Sequence, residues 1–272
     1  MKRIVLIISV ALIPLFLSAQ WFDNPNIELD LVNYIVKYDL MYAEDTNNLQ
    51  NKGEETMMLL IGKDVSNFQS YNSYRFNQVG RKKQKEGLLD DWIESGEIMQ
   101  YKARFTYSIF KNYPKGRITT IEDLLLSDRR FVYEENVTQF DWVVLDDVAT
   151  INGYLCQKAK CEFGGRVWEA WYTDELPISD GPYKFCGLPG LIINIADTKN
   201  HYSFKFLSIE KVQENIPIEW EENDYVKTTK KKYFEAYKSL ALTVEDNAVV
   251  NEAVAKRIKK VLLSRNNPIE LK

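Results

Sequence analysis

The sequence is poor in the residues that most enzymes use for chemistry, with one histidine, His201, and three cysteines among 272 residues. Serine and cysteine hydrolases generally need a histidine base, and transition-metal sites usually need several histidine or cysteine ligands. The motifs HExxH, CxxC and GxSxG and a phosphate-binding glycine loop are also absent from the sequence. We therefore expect no metal site, no cofactor and no catalytic residue of these common kinds.

Positive charge is not in excess either, because 35 basic residues face 39 acidic ones and the net charge is −4. Two short basic clusters, Arg81-Lys82-Lys83 and Lys230-Lys231-Lys232, lie beside acidic or aromatic neighbours and are typical of a solvated surface. Affinity for nucleic acid comes mainly from basic groups that contact phosphates. We expect no nucleic-acid partner.

Only one long apolar run is present, at residues 4–17, directly after Lys2-Arg3. It is shorter than the roughly 20 residues that span a bilayer, and Leu17-Ser18-Ala19 supplies small residues for signal peptidase. These features predict a cleavable signal peptide at residues 1–19, with no cysteine at the cleavage site to make a lipoprotein. The expected product is a periplasmic or otherwise exported single β-rich domain, residues 20–272, without a transmembrane segment.

The rest of the chain has the alternating pattern of β-strands with one buried face. The clearest alternation runs from Ile98 to Phe110, and a similar one runs from Val32 to Tyr42. Shorter β-like runs follow one another at residues 55–61, 131–137, 142–145, 154–163, 167–173, 191–196 and 202–209. This spacing predicts a mainly β (α+β) fold, built as a curved antiparallel sheet or meander that closes at most to a half-barrel.

Gly164-Gly165 separates two of these runs and predicts a type I′ hairpin turn, because glycine accepts positive φ at both central positions. The turn pairs Phe163 with Arg166, and therefore places Cys161 opposite Trp168 on the buried face.

The pattern changes to a helical period after Thr243, with an apolar stripe through Val250, Val254, Ile258 and Leu262. We expect a C-terminal amphipathic helix over residues 244–265, capped by Thr243 and stopped by Asn266-Asn267-Pro268.

Residues 174–190 form a long connection that is rich in proline and glycine. Long specified loops in compact domains are often functional, but this loop could equally plug the end of the sheet with Tyr183, Phe185 and Leu188. Within it, Pro189-Gly190 fits the central pair of a type II turn.

The three cysteines would enter an oxidising compartment if the chain is exported. Cys156 and Cys161 lie on one predicted strand and point to opposite faces, so they cannot easily bond to each other. With Cys161 inside and Cys156 on the more polar face, we favour a disulfide between Cys156 and Cys186. Three free or buried thiols are the alternative.

Several short motifs resemble the GLPGLI family, a set of exported Bacteroidetes proteins. The hexapeptide that names this family is Gly187-Leu188-Pro189-Gly190-Leu191-Ile192. The other motifs are Gly153 to Ala159, Gly165-Arg166 followed by Ala170 to Thr173, Pro177 to Pro182, and Asn267 to Leu271. The resemblance implies an exported location and a lineage, and it carries over no catalytic residue.

Our first hypothesis is a non-enzymatic cell-envelope protein that binds an apolar or extended ligand, or an outer-membrane protein partner. A curved sheet that wraps an apolar cavity closed by helices, as in periplasmic lipoprotein carriers, is the analogous form. An open cavity between sheet and helix would support it. The side chains proposed for binding are Trp168, Tyr183, Phe185, Leu188, Tyr202 and Phe204, with Tyr34, Tyr38, Tyr101 and Phe105 on the same apolar face.

Two alternatives stay open. One is a histidine-independent hydrolase that uses paired carboxylates, for which Asp174-Glu175, Asp146-Asp147 and Glu221-Glu222 are candidates. The other is an accessory factor of a TonB-dependent transport or export system.

Overall fold

The computed structural model of the protein describes residue 22 and residues 24–127, 129–246 and 251–271. The predicted signal peptide, residues 1–19, lies outside the described residues. No helix in the described ranges is both long and apolar enough to cross a membrane.

Twelve strands form one large sheet in the order β14-β7-β6-β5-β4-β3-β2-β12-β11-β10-β9-β8. Neighbouring strands in this sheet pair antiparallel, except that β14 and β7 pair parallel. The two edge strands, β14 and β8, do not pair with each other. The remaining strands, β1 and β13, form a separate ribbon. The strands are β1 (Asn26–Leu31), β2 (Tyr34–Tyr42), β3 (Gly53–Ile61), β4 (Ser66–Ser70), β5 (Ser108–Lys111), β6 (Arg117–Asp123), β7 (Arg130–Asn136), β8 (Val143–Ile151), β9 (Tyr154–Phe163), β10 (Arg166–Thr173), β11 (Leu191–Asp197), β12 (Tyr202–Lys211), β13 (Pro217–Glu221) and β14 (Val226–Lys227).

The glycine hairpin has the predicted register. Gly164 and Gly165 both have positive φ, Phe163 pairs with Arg166, and Cys161 pairs with Trp168. Cys161 and Trp168 are both buried, as the alternation predicted.

The predicted strand from Ile98 to Phe110 is wrong over most of its length. Residues Glu97–Tyr101 form a 3-10 helix, and only Ser108–Lys111 pairs as a strand. The alternation misled because Ile98 and Tyr101, three residues apart, pack together in a small helical cluster with Trp92. Phe105 and Tyr107 belong to the main core instead.

Four α-helices are described: α1 (Tyr71–Lys85), α2 (Leu89–Glu94), α3 (Lys230–Thr243) and α4 (Glu252–Ser264). The predicted single helix over residues 244–265 is therefore corrected, because Thr243 ends α3 and does not cap α4. Asn251 caps α4 through its side chain, which accepts a hydrogen bond from the Val254 amide. The helix ends before Asn266-Asn267-Pro268, where the sequence placed its stop.

The main core lies inside the sheet. Ile109 on β5, Leu40 on β2 and Trp168 on β10 belong to one buried cluster although their strands lie far apart in the sheet order, so the sheet curves around this cluster. Met58 and Leu60, which alternate with core residues along β3, belong to a second cluster with Ile218 of the β1–β13 ribbon. Both faces of β3 are thus covered by apolar side chains.

Candidate functional site

The proline-rich loop between β10 and β11 fills the interior of the sheet. Residues 180–186 are buried without interruption. The Phe185 ring lies 4.8 Å from the Trp168 ring between centroids and belongs to the same core cluster as Leu188. Trp168, Phe185, Leu188 and Phe204 are all closed to solvent and packed against protein atoms, so none of them presents a surface to a ligand in this structure.

The turn at Pro189-Gly190 differs from the predicted type II turn. Gly190 has φ +156°, where type II geometry requires about +80°. Its amide donates to the Leu188 carbonyl at 2.8 Å, while the Leu191 amide donates to the Leu176 carbonyl at 3.0 Å. Glycine is needed here because a Cβ would lie 2.0 Å from the Thr173 carbonyl oxygen. Glycine is therefore required at position 190 by the close approach of the backbone at Thr173, and not by the turn type.

The segment Asn267–Leu271, here called the tail, docks onto the glycine hairpin. The Arg166 guanidinium donates to the Ile269 carbonyl at 2.9 Å, to Asn267 Oδ1 at 2.7 Å and to the Pro268 carbonyl at 2.7 Å. The Leu271 amide donates to the Gly164 carbonyl at 2.6 Å. Two motifs that lie about a hundred residues apart in the sequence thus form one structural unit.

A buried ion cluster fixes the tail from the other side. Glu270 Oε1 accepts from Lys184 Nζ and from the Tyr183 hydroxyl, each at 2.6 Å, and Glu270 Oε2 accepts from Lys230 Nζ at 2.7 Å. Both lysines also pair with Glu135. Burial alone would raise the pKa of Glu270, but the two lysines outweigh it and lower that pKa. The carboxylate is therefore held ionised.

A cavity of about 1210 Å³ lies between the interior of the sheet and the C-terminal helices. Pockets for small ligands are usually about 300–1,000 Å³, so this one is large enough for an extended molecule. Its wall is built from the end of β2, the start of β3, residues 102–107, residues 122–127, 129 and 130, helix α3, the end of α4 and the tail.

Helix α3 supplies one side of the cavity. Thr229 caps it by accepting from the Lys232 amide at 3.3 Å, and its tyrosines Tyr233 and Tyr237 then face the cavity at a spacing of four residues. Leu242 near its end is 71% exposed, and Leu263 of α4 is 51% exposed. These two leucines lie at an apolar rim that opens to solvent.

Glu122 at the end of β6 is the most perturbed carboxyl of the cavity wall. Its oxygens accept from the hydroxyls of Tyr133 and Tyr233 at 3.4 and 3.5 Å, which are long hydrogen bonds. Burial raises the pKa of Glu122 to about 7, against a smaller opposing effect of Lys184. Within the described part of the chain, no cation forms an ion pair with it.

Glu55 on β3 is a buried carboxyl in the same wall. Its Oε2 atom accepts from the amides of Arg104 at 2.9 Å and Phe105 at 3.2 Å, which holds residues 102–107 over the cavity. Burial raises the pKa of Glu55, although the nearby Ser70 hydroxyl offsets part of the rise. Its Oε1 atom has no hydrogen-bond partner of normal geometry among the residues the structure describes.

The Tyr107 hydroxyl is buried beside both carboxyls and has no hydrogen-bond partner in the described structure. Burial raises the pKa of Tyr107 well above its usual value, and Glu55 and Glu122 raise it further. Both carboxylates therefore lie within electrostatic range of one unsatisfied hydroxyl. Buried polar groups normally have hydrogen-bond partners, so the arrangement of Tyr107, Glu55 and Glu122 needs an explanation.

The other two buried or half-buried acids of the wall are neutralised by arginines. Arg104 pairs with Glu44, and Arg130 donates to Asp123 at 2.8 Å. This pairing with an arginine distinguishes Glu44 and Asp123 from Glu55 and Glu122.

The three cysteines are free thiols in the structure, so Cys156 and Cys186 are not bonded. Cys156 is fully buried with the main core, which corrects its predicted place on a more polar face. The Cys186 thiol lies 3.7 Å from the Val137 carbonyl oxygen.

The structure brings only part of the sequence-predicted ligand face to the cavity. Tyr183, Tyr202 and Phe105 line it, whereas Tyr38 is buried and donates to the Ile192 carbonyl at 2.8 Å. Tyr101 lies in the small helical cluster with Trp92, and Tyr34 lines a second, smaller cavity of about 360 Å³.

Sequence reasoning missed Glu55, Glu122, Tyr107 and the whole of α3. A signal for α3 exists, because Thr229 precedes a run with Tyr233, Tyr237 and Ala241 at helical spacing. No sequence signal marks the two glutamates, since their burial depends on strands and helices far apart in the chain.

The carboxylate pairs named from the sequence do not form a cleft. Asp146 and Asp147 are exposed on β8, and Glu175 accepts from the Leu155 amide at 2.7 Å in an exposed turn. Glu221 pairs with Arg81 on the ribbon. Across the described ranges, no cluster of three or more histidine, cysteine, aspartate or glutamate side chains could hold a metal ion.

Comparison with known proteins gives one family match and distant structural ones. A family model described as "Protein of unknown function (Porph_ging)" matches residues 162–194, from the end of β9 to β11. No curated protein matches the chain.

Two solved structures of PNGF-II are similar in fold. The one in space group P21 has a TM-score of 0.50 and 11% identity, covering 74% of this chain. The one in space group C2 has a TM-score of 0.49 and 12% identity over the same share. This chain spans about a third, 32%, of the PNGF-II chain. At this identity the likeness concerns the fold alone.

Proposed function

We propose that the protein is an exported, non-enzymatic cell-envelope protein that binds an extended, largely apolar ligand in the cavity between its sheet and its C-terminal helices. The cavity itself carries the proposal. It exceeds the volume of an ordinary ligand pocket, it is lined by tyrosines and leucines, and its rim exposes Leu242 and Leu263.

Export and family membership are part of the same proposal. The apolar run at residues 4–17 supports a cleavable signal peptide and a periplasmic location. The matched segment at residues 162–194 contains the hexapeptide Gly187 to Ile192, and this supports assignment to the GLPGLI family.

A neutral fluorescent probe tests ligand binding directly. N-phenyl-1-naphthylamine should bind saturably with one-to-one stoichiometry, and dodecanol should displace it. Ala103→Trp places a large side chain in the cavity wall from a half-buried loop position, and it should abolish probe binding. Ala253→Trp adds the same side chain at an exposed position of α4 outside the wall, and it should bind like the wild type.

Unchanged probe binding in Ala103→Trp would mean that the probe binds elsewhere, and the proposal would fail. Thermal melting of both variants controls for loss of fold.

A histidine-independent hydrolase is the second candidate, and one observation favours it. Glu122 has a pKa near neutrality and Glu55 has a raised pKa in the same cavity, which is the environment that general acids require. The acid would be Glu122, with Glu55 as the second carboxylate.

Hydrolysis of nitrophenyl glycosides tests this candidate. An active protein should show a rate that falls as pH rises through about 7 and that Glu122→Gln abolishes. Glu235→Gln, which removes the same charge on the exposed face of α3, is the matched control. Background rates in the wild type would exclude glycoside hydrolysis by this pair.

A further inference from the structure

The buried and half-buried carboxylates of the cavity wall divide into two kinds. Glu44 and Asp123 are paired with arginines, whereas Glu55 and Glu122 have no cation paired with them among the described residues. Burial of a charge without a paired counter-charge is costly. The wall therefore holds two acids without a cation at ion-pair distance, although, against the rise from burial, the more distant charges of Arg104 and Lys184 lower the pKa of Glu55 and Glu122 respectively.

A buried hydroxyl without a hydrogen-bond partner in the described structure lies beside these acids. The Tyr107 hydroxyl is buried, faces the cavity and has no partner in the described part of the protein. Glu55 Oε1 is likewise unsatisfied by a hydrogen bond of normal geometry. Glu122 accepts only two long hydrogen bonds from tyrosine hydroxyls.

We infer that the ligand is a cationic amphiphile, whose ammonium group binds next to Glu55, Glu122 and the Tyr107 hydroxyl while its alkyl part extends toward Leu242 and Leu263. This rests on the proposed binding function. An ammonium group has three donors and no acceptor, so it can donate to Glu55 Oε1, to the Tyr107 hydroxyl oxygen and to Glu122, whose present hydrogen bonds are long. The aromatic rings of Phe105, Tyr183 and Tyr233 line the same cavity. Aromatic faces attract cations, and Arg104 over the Phe105 ring and Lys184 over the Tyr183 ring already show such contacts.

An anionic amphiphile is the main competitor. Lys238 and Arg265 also line the cavity, at exposed and half-exposed positions, and could hold a carboxylate at the rim. Such a head group would leave Glu55, Glu122 and Tyr107 unsatisfied, so the deep part of the cavity favours the cation.

Three ligands with the same twelve-carbon chain separate these classes: dodecylammonium, dodecanol and dodecanoate, each titrated by calorimetry at pH 8. At this pH Glu122 is ionised and the amine is protonated. Dodecylammonium should bind at least about tenfold tighter than dodecanol. Glu122→Gln and Glu55→Gln should each weaken dodecylammonium by about tenfold and leave dodecanol unchanged.

Two further variants make the test specific. Tyr107→Phe removes only the unsatisfied hydroxyl and should weaken dodecylammonium by a smaller factor than either glutamine variant. Glu235→Gln makes the same change in net charge on the solvent face of α3 and should leave all three affinities unchanged.

The outcomes separate this inference from the binding function. Equal binding of dodecylammonium and dodecanol, tighter binding of dodecanoate, or a preference for the amine that survives both glutamine variants would overturn the cationic ligand while the cavity still binds alkyl chains. No binding of any of the three ligands would overturn the proposed function as well. Dodecanol binding by every variant shows that each has folded.

Discussion

Lys184 and Glu270 form an ion pair of 2.6 Å although they lie 86 residues apart in the sequence, and both side chains are closed to solvent. The pair joins the tail to the proline-rich loop that fills the sheet. The tail, the glycine hairpin and the proline-rich loop thus meet within the core. The cavity beside them is where we propose that a ligand binds.

Removal of the Glu270 carboxylate should destabilise the protein strongly. Glu270→Ala leaves Lys184 buried and with its charge only partly compensated, so we expect a loss of about 3–5 kcal/mol in the free energy of unfolding by urea. Glu252→Ala removes an exposed carboxylate paired with Lys256, and should change that energy by no more than about 0.5 kcal/mol. Similar losses in the two variants would contradict a structural role for the buried pair.

The pH dependence of stability should change with Glu122. Its pKa rises from 4.5 in the unfolded chain to about 7 in the folded protein. The folded protein therefore holds this proton more tightly than the unfolded chain does. This contribution to stability is fully present below the pKa of the unfolded chain, and it is lost as pH rises through about 7. Glu122→Gln should therefore be more stable than the wild type by about 1–3 kcal/mol at pH 8 and by little at pH 4.

Groups on several elements set this pKa. They are Asp123 on the same strand, Tyr133 on β7, Tyr233 on α3, Lys184 in the loop and Glu270 in the tail. Urea unfolding at both pH values measures the difference, with Glu235→Gln as a control that should show no pH trend. A constant difference between pH 4 and pH 8 in Glu122→Gln would rule out a raised pKa.

Gly190→Ala should destabilise the protein by about 1–3 kcal/mol or more, since the new Cβ would lie 2.0 Å from a backbone oxygen and the two chains must separate. Gly153 is a matched control because its φ is +88° and nothing lies within 4 Å of an added Cβ. Gly153→Ala should cost about 1 kcal/mol from backbone strain alone. If chemical denaturation shows that Gly153→Ala and Gly190→Ala lose the same free energy of unfolding, the close approach at Gly190 is contradicted.

Arg166→Lys tests the attachment of the tail. A lysine cannot reproduce the guanidinium geometry that binds the Ile269 and Pro268 carbonyls and Asn267 at once. We expect a loss of about 1–3 kcal/mol in thermal or chemical unfolding. Arg117→Lys, whose side chain is 41% exposed beside Glu134, should be nearly neutral. Equal stability of the two variants would mean that the tail is held by other contacts.

The thiols can be counted chemically. Burial raises the pKa of Cys161 to about 12 and that of Cys186 to about 11, so neither should react with a thiol reagent in the folded protein. After unfolding without reductant, three thiols should react. A single reactive thiol in protein isolated from an oxidising compartment would instead show that two of the three cysteines form a disulfide.

Local patterns in the sequence predicted the hairpins well, because register follows from turn residues and a period of two. The pairing of Phe163 with Arg166 is the clearest case. Local patterns failed at Ile98 and Tyr101, which are buried because they pack against apolar side chains of α2. Alternation alone does not distinguish such contacts from those of a strand.

The candidate site was predictable only in outline. A cavity between sheet and helix was expected only by analogy with periplasmic lipoprotein carriers, and Tyr202 and Tyr183 were among its expected residues. Trp168 and Phe204 were expected to face a ligand but pack inside, because the loop that carries Phe185 occupies that space. Burial of Glu55 and Glu122 depends on tertiary neighbours that no short window of sequence contains.

Native mass spectrometry of the protein, purified without detergent from its own source, tests ligand binding in the cavity most directly. We expect a bound adduct with the mass of an amine-bearing amphiphile in the wild type, no adduct in Ala103→Trp, and the wild-type adduct in Ala253→Trp. An unliganded mass in the wild type that stays unchanged on addition of dodecylammonium or dodecanol would contradict a ligand-binding cavity.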